Sequence, residues 1–366
     1  MTVRYDPYSY GFAKDKRRLR RTERTRYISV TKTPTRSQDD RTTNRITTDL
    51  ESSYSAPQEL WALVLFLGSL LFGAILYGWL SRSPVYSETG TLNSQGCGKG
   101  VKYLNAVSGR VVNGRPAKGA FPWTVIVYAT PKHRGTIRGT GALITRVHVL
   151  TAAHVVPLEK GVKEVYVRYG SSFVSQMSFV KAIGARDAGF VFENNKNDIL
   201  VLLLAEPLDD VPTLCVPPIA GFHPDGGTTL GFNDSSLEFR YHPDDLPDVG
   251  DEIVVAGFGI TQAAKSIRET TELHYTTGIV LPMFKCPYKT RAVTEFCAQR
   301  IDTGICRGDS GASAMLKIGD RLMSVGVVSS TKRCGRSPDR YIRVSGYIEW
   351  LYDAVNRTPS SFVTLL

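Results

Sequence analysis

From Val111 onward, apolar residues come in short runs, each stopped after a few positions by Gly, Pro, Asn or Asp. Trp123 to Tyr128 is β-branched and aromatic, and Gly141 to Leu150 and Glu164 to Tyr169 alternate apolar with polar. Ile199 to Leu204 is continuously apolar, and Ile253 to Ala256 and Met323 to Val328 continue the series. Runs this short suit half-buried or fully buried strands better than helices. Their number, with turn residues between them, predicts an all-β sandwich or barrels and argues against α/β alternation. One helix is predicted near the end, where Ile348, Leu351, Tyr352 and Val355 fall at i, i+3, i+4 and i+7.

The chain before Val111 reads differently. Residues 1–59 are rich in Arg, Thr, Ser and Tyr and lack a helical or strand period, so a disordered tail is expected there. Leu60 to Leu80 carries no charge and has Trp61, Tyr77 and Trp79 near its ends, as a membrane-spanning helix does. Basic residues concentrated before this span predict a single-pass type II membrane protein with a cytoplasmic N-terminus and everything after Leu80 outside or in the lumen. Residues 81–110 form a short stem and 111–366 the large domain.

The net charge of +11 points at first to nucleic acid, but its distribution does not. Residues 1–59 hold 13 Lys/Arg against 8 Asp/Glu, whereas residues 111–366 hold 28 against 25. The large domain is therefore nearly balanced, and no nucleic-acid partner is expected. Six cysteines, Cys97, Cys215, Cys286, Cys297, Cys306 and Cys334, all follow residue 96 without C-x-x-C spacing, which reads as a disulfide framework rather than a metal site. Asn233 and Asn356 each begin a glycosylation sequon.

Three segments carry chemistry. His154 closes Val149-Leu150-Thr151-Ala152-Ala153-His154 at the end of an apolar strand. Asp198 stands at the mouth of the run Ile199 to Leu204, where a carboxylate needs a partner to offset its burial. Ser310 lies in Cys306-Arg307-Gly308-Asp309-Ser310-Gly311-Ala312-Ser313, whose small residues let a hydroxyl nucleophile and its own backbone N–H approach one substrate carbonyl.

Thr-Ala-Ala-His, Asn-Asp-Ile and Gly-Asp-Ser-Gly, in the chain order His, Asp, Ser, strongly resemble the chymotrypsin-like (trypsin fold) serine proteases from Val111 to about Val355. The resemblance implies two antiparallel six-stranded β-barrels with a C-terminal helix. It implies His154 as general base and acid, Asp198 as the group that orients it, and Ser310 as nucleophile. The backbone N–H groups of Gly308 and Ser310 would form the oxyanion hole, and Ser329 matches the family's serine beside the buried aspartate.

Arg110-Val111-Val112-Asn113-Gly114 resembles the family's activation junction, where cleavage after Arg110 frees the Val111 ammonium to pair with Asp309. The resemblance pairs Cys97 with Cys215, Cys286 with Cys297 and Cys306 with Cys334. The family's bridge beside the catalytic histidine is replaced by Gly139 and Val155.

The expected activity is a membrane-anchored serine endopeptidase, made as a zymogen and acting on extracellular protein or peptide substrates without metal or cofactor. Its activator would be another protease or the enzyme itself. Specificity is where the sequence departs from the family. Gly304 stands where trypsin-like members have the pocket aspartate, Asp339 replaces a pocket-wall glycine, and Thr331 narrows the entrance. A basic P1 side chain read by Asp339 is expected, with relaxed selectivity. The altered cleft also leaves room for a second reading, a catalytically weak homologue acting as a cell-surface binding module.

Overall fold

The computed structural model describes residues 65–73, 90–99, 114–219, 246–260, 270–299 and 304–365. Among these residues, fourteen strands form two seven-stranded antiparallel sheets. The first contains β2 (Thr124–Pro131), β3 (Ile137–Leu143), β4 (His148–Thr151), β5 (Val162–Tyr169), β6 (Ser178–Asp187) and β7 (Leu200–Leu204), closed by pairing of β6 with β7. The second contains β8 (Glu252–Gly257), β9 (His274–Leu281), β10 (Glu295–Gln299), β11 (Ser313–Ile318), β12 (Arg321–Thr331) and β13 (Asp339–Arg343), closed by β8 with β9. Closure removes the open edges that an isolated antiparallel sheet would expose.

Each barrel also receives one short strand from the far end of the domain. β1 (Arg115–Pro116) adds to β9 of the second barrel, and β14 (Val363–Thr364) adds to β6 of the first. The predicted C-terminal helix is Ile348–Asn356, with Ile348, Leu351 and Val355 buried as its spacing requires. Asn356 is exposed at its last position, and Asn233 lies outside the described residues.

Both barrels are filled by side chains. Val125, Val127, Val165 and Val167 point into the first, Ile253, Val255, Phe296, Val325 and Val328 into the second, and all five residues of β7 are buried, on both faces of the strand. Trp123 is fully buried, and its indole N–H points to Met315 Sδ of β11 at 3.3 Å, which joins the two barrels. In place of the family's bridge, Val155 occupies the gap. A Cβ added to Gly139 would stand 2.7 Å from both Val155 methyl carbons, so the β-branched side chain already uses that space.

The structure corrects two expectations. Gly141 to Leu150 is not one strand but the end of β3, a bend at 144–147, and β4. Thr145 makes the bend, because its hydroxyl oxygen accepts the backbone N–H groups of Val147 and His148 at 3.2 and 3.1 Å. The expected transmembrane helix from Leu60 to Leu80 is not found. Its described part, 65–73, is helical. The remainder of Leu60 to Leu80 lies outside the described residues, among which no helix is long and apolar enough to cross a membrane. The expected signal anchor, single-pass topology, cytoplasmic N-terminus and membrane partner are therefore withdrawn. The predicted disordered tail also lies outside the described residues, as does 220–245, the middle of the loop expected from Val216 to Gly250, although Val216 and Leu246 at its margins are buried.

His148 opens β4 on the outer face of the first barrel, 3% exposed beneath Phe362, on which it stacks at a centroid separation of 6.0 Å. The Thr145 hydroxyl, already accepting two N–H groups, can only donate to His148 Nδ1, 2.8 Å away, which fixes a neutral ring with its proton on Nε2. Burial lowers the His148 pKa from 6.5 to about 4. Below its unfolded pKa the unfolded chain binds a proton that the native ring refuses. This component of stability is thus complete above pH 6.5 and declines as pH falls toward 4, by about 3 kcal/mol in all. Denaturant titrations between these limits should show the decline, and His148→Gln should flatten it.

Candidate active site

The site lies where the two barrels meet. His154 sits in a short 3-10 turn, Ala153–Val155, directly after β4. Asp198 precedes β7, and its approach is held by Asn197, a left-handed residue at φ 56°. The Asn197 side chain donates to Gly189 O at 2.9 Å and accepts the Tyr347 hydroxyl at 2.7 Å. Pinned in this way, the backbone turns the Asp198 carboxylate inward, where it is 0% exposed.

That carboxylate is fully engaged. Oδ1 accepts the backbone N–H of His154 at 2.9 Å, and Oδ2 accepts from His154 Nδ1 at 2.7 Å and from the Ser329 hydroxyl at 2.6 Å. With Nδ1 donating to a carboxylate, the neutral imidazole presents Nε2 as its basic nitrogen. Burial opposes the charged imidazole, but the Asp198 charge and hydrogen bond outweigh it and raise the His154 pKa above its ordinary value, while Arg340 pulls it down. Burial likewise opposes ionisation of Asp198, and the His154 charge together with hydrogen bonds from His154 and Ser329 brings its carboxyl below the usual range.

Ser310 is carried on the turn between the Cys306–Cys334 bridge and β11. Its carbonyl accepts Thr140 N–H from β3 of the other barrel at 2.8 Å, and the Thr140 hydroxyl donates to Gly308 O at 2.7 Å. Gly311 has φ +85°, and a Cβ there would overlap Thr151 Oγ1 and Thr140 O, so only glycine lets the serine turn reach the first barrel. Gly308 has φ +94° and lies against Phe258 and Gly259. The Ala312 methyl, unusual for its position, is buried without disturbing the turn, whose Ala312 N–H donates to Asp309 O at 2.9 Å.

Asp309 turns away from Ser310. Its Oδ1 accepts Gly259 N–H at 2.8 Å and its Oδ2 accepts Cys306 N–H at 2.9 Å. Arg110 and Val111 lie outside the described residues. The three cysteine pairs are Cys97–Cys215, Cys286–Cys297 and Cys306–Cys334.

At the specificity positions, Thr331 of β12 stands directly across from Asp339 of β13. Asp339 is 1% exposed. A Cβ added to Gly304 would be 2.6 Å from Gly335 Cα and 3.6 Å from Asp339 Oδ2. Gly335 therefore leaves no room for a side chain at residue 304, and the Asp339 carboxylate reaches toward that same point. Arg307, Lys332 and Arg333 are exposed cations in the flanking loops. Among the described residues no cluster of His, Cys, Asp and Glu could hold a metal ion.

Sequence reasoning missed Thr140, whose role depends on the docking of two barrels, and Glu295. The signal for Glu295 was present: it is an acid at the start of the apolar segment Glu295–Gln299, and its burial follows once that segment is a strand.

The Trypsin family profile matches residues 111–351. The clotting factor G beta subunit of Tachypleus tridentatus is 25% identical over 289 residues, covering 72% of this chain and 83% of the relative. The proclotting enzyme of the same animal is 25% identical over 68% of this chain and 66% of its own length. Complement C1s subcomponent of Sus scrofa is 26% identical over 66% of this chain, which spans only 35% of that relative. Among solved structures, HL collagenase aligns with a TM-score of 0.52 at 21% identity, over 68% of this chain and 100% of its own, a likeness of fold. With a profile match over most of its length, two closed β-barrels and a histidine, aspartate and serine carried at their junction, the chain belongs to the trypsin family of chymotrypsin-like serine proteases.

Proposed function

We propose that this chain is a catalytically competent serine endopeptidase acting on protein or peptide substrates. The observation that carries this reading is the buried Asp198 carboxylate bonded to both the backbone N–H and the Nδ1 of His154. Such a carboxylate holds one tautomer and one ring orientation and stabilises the imidazolium formed when Nε2 takes the Ser310 proton. Ser310 then attacks the scissile carbonyl, and the Gly308 and Ser310 N–H groups receive the oxyanion, each donor contributing roughly 3 to 4 kcal/mol. His154 returns the proton to the leaving amine, and water repeats the sequence on the acyl-enzyme.

Residues 111–366 act as the protease domain and 81–110 as an activation stem. Cleavage after Arg110 supplies the Val111 ammonium. Each Asp309 oxygen, now accepting one backbone N–H, keeps a further lone pair with which to accept that ammonium. The Cys97–Cys215 bridge keeps the stem attached after the cut. Disulfides of this kind suit an oxidising compartment.

The P1 pocket is read as basic-selective through Asp339. The acid that cannot be carried at Gly304 is supplied from the facing strand, and a buried carboxylate favours a guanidinium or ammonium over neutral side chains.

Three outcomes are expected. After cleavage at Arg110, the chain should react with a fluorophosphonate probe and lose labelling in Ser310→Ala. An unlabelled native chain would instead indicate the binding-module reading. Because catalysis needs neutral His154 and its pKa is raised above 6.5, kcat/KM should fall with decreasing pH through a midpoint above 6.5. An acid limb below that value would contradict the site electrostatics. Peptide-library profiling should show Arg and Lys at P1, with Asp339→Gly shifting preference to small apolar residues. A profile unchanged by the substitution would remove the pocket assignment.

A further inference from the structure

Behind Asp198, on the side away from His154, two buried charges stand in the second barrel. Arg340 of β13 is 7% exposed and Glu295 of β10 is 6% exposed. The guanidinium lies 4.0 Å from Glu295 Oε1, and Nη2 donates to Ser329 Oγ at 3.2 Å and to Asn195 O at 3.3 Å. Asn195 belongs to the segment leading into Asp198 from the first barrel and has a left-handed φ of 51°. One side chain therefore ties β13 to both supports of the catalytic carboxylate.

The backbone favours this contact. The β12–β13 register runs Val328 with Tyr341 and then Ser330 with Arg340, leaving Ser329 as the extra residue of a β-bulge. Bulges re-aim side chains. Ser329 is turned out of the ladder toward Asp198, and Arg340 reaches it across the bulge.

The bonding has a direction. Arginine only donates, so Ser329 Oγ must accept from Arg340, and its single proton goes to Asp198 Oδ2. An accepting side chain at residue 340 would compete with Asp198 for the hydroxyl proton, and an apolar one would remove the donor that fixes the hydroxyl's orientation. Burying a guanidinium and a carboxylate is costly, and apolar residues of similar volume would often serve stability as well. Something other than stability accounts for the pair.

We propose that Arg340, with Glu295 as its buried counter-charge, is a positioning residue that commits the Ser329 hydroxyl to Asp198, clamps the Asp198 approach at Asn195 and sets the basicity of His154. It extends the set His154, Asp198, Ser310 backwards into the second barrel as a relay from guanidinium to hydroxyl to carboxylate to imidazole. A positive charge at this point disfavours the imidazolium, in opposition to Asp198, so Arg340 holds the working pH range lower than the aspartate alone would allow. The other titratable and charged groups in this region are Arg291 and Tyr288 before β10, Lys332 over the Tyr288 ring, Asp339 on β13, and Tyr347 on the Asn197 side chain.

The proposal rests on the protease reading, so its test includes a readout that does not need turnover. In the full chain, the His154 titration would be followed by NMR of the ring protons, and kcat/KM against pH would be measured after cleavage at Arg110. Arg340→Met with Glu295→Leu removes both charges together and avoids an unpaired buried acid, and Arg340→Lys keeps the charge and a donor. In the double variant the His154 pKa and the acid limb should both rise by about half a unit or more. Its kcat/KM should fall by about tenfold or more as Asp198 loses its supports. Arg340→Lys should keep the native His154 pKa.

A folded double variant whose His154 titrates as in the native chain would overturn the proposal, whatever its activity, because a purely structural role moves stability and not the pKa. A raised pKa in Arg340→Lys equal to that of the double variant would overturn it as well. A native chain inactive toward peptides and fluorophosphonate would defeat the protease reading, while the NMR comparison would still decide the role of Arg340.

Discussion

The junction of the two barrels is organised by one carboxylate. Asp198 is removed from water, and a charge in that position persists only if hydrogen-bond donors replace its hydration. The donors come from three places: the His154 backbone, the His154 ring and the Ser329 hydroxyl. Two belong to the first barrel and one to the second, so satisfying this group requires the barrels to dock. The Thr140 contacts with Ser310 and Gly308 and the Trp123 contact with Met315 then close the same seam.

Much of this was legible in the sequence because short-range constraints carry it. The runs at Trp123, Glu164, Ile199 and Ile253 have lengths and compositions that only strands satisfy, and each is a strand. His154, Asp198 and Ser310 could be singled out because each sits in a short motif whose neighbours are themselves informative. The Gly141 to Leu150 segment misled because alternation cannot reveal that Thr145 would spend its hydroxyl on bending the chain. Leu60 to Leu80 was read from composition alone, and among the described residues no helix is long and apolar enough to cross a membrane. Thr140 and Arg340 could not be placed at the site, since their contacts join strands far apart in the chain, and Glu295 was visible only as an acid opening an apolar run.

The positions expected to set specificity show how a carboxylate can reach one place from a different strand. Gly304 and Gly335 approach so closely that no side chain fits between them, while Asp339 reaches the same space from a neighbouring strand. Strand β13 thereby places one charged side chain on each of its faces, Asp339 toward the pocket and Arg340 toward the catalytic carboxylate. Alternation along a single strand thus puts two buried charged side chains one peptide unit apart on opposite faces. Substitutions that alter the register of β13 would disturb both together.

The two short strands at the ends of the domain carry a consequence for biosynthesis. β1 is stitched to the second barrel and β14 to the first, and Phe362 and Leu365 are buried, Phe362 against Gly184 and His148. The first barrel emerges early from a ribosome but lacks the cover of Phe362 and Leu365 over its outer face until residue 365 has been made. Domains that fold vectorially can complete each half as it appears. Here the earlier half must wait for the later one, so the nascent chain reaches its finished form only after synthesis has passed the last strand.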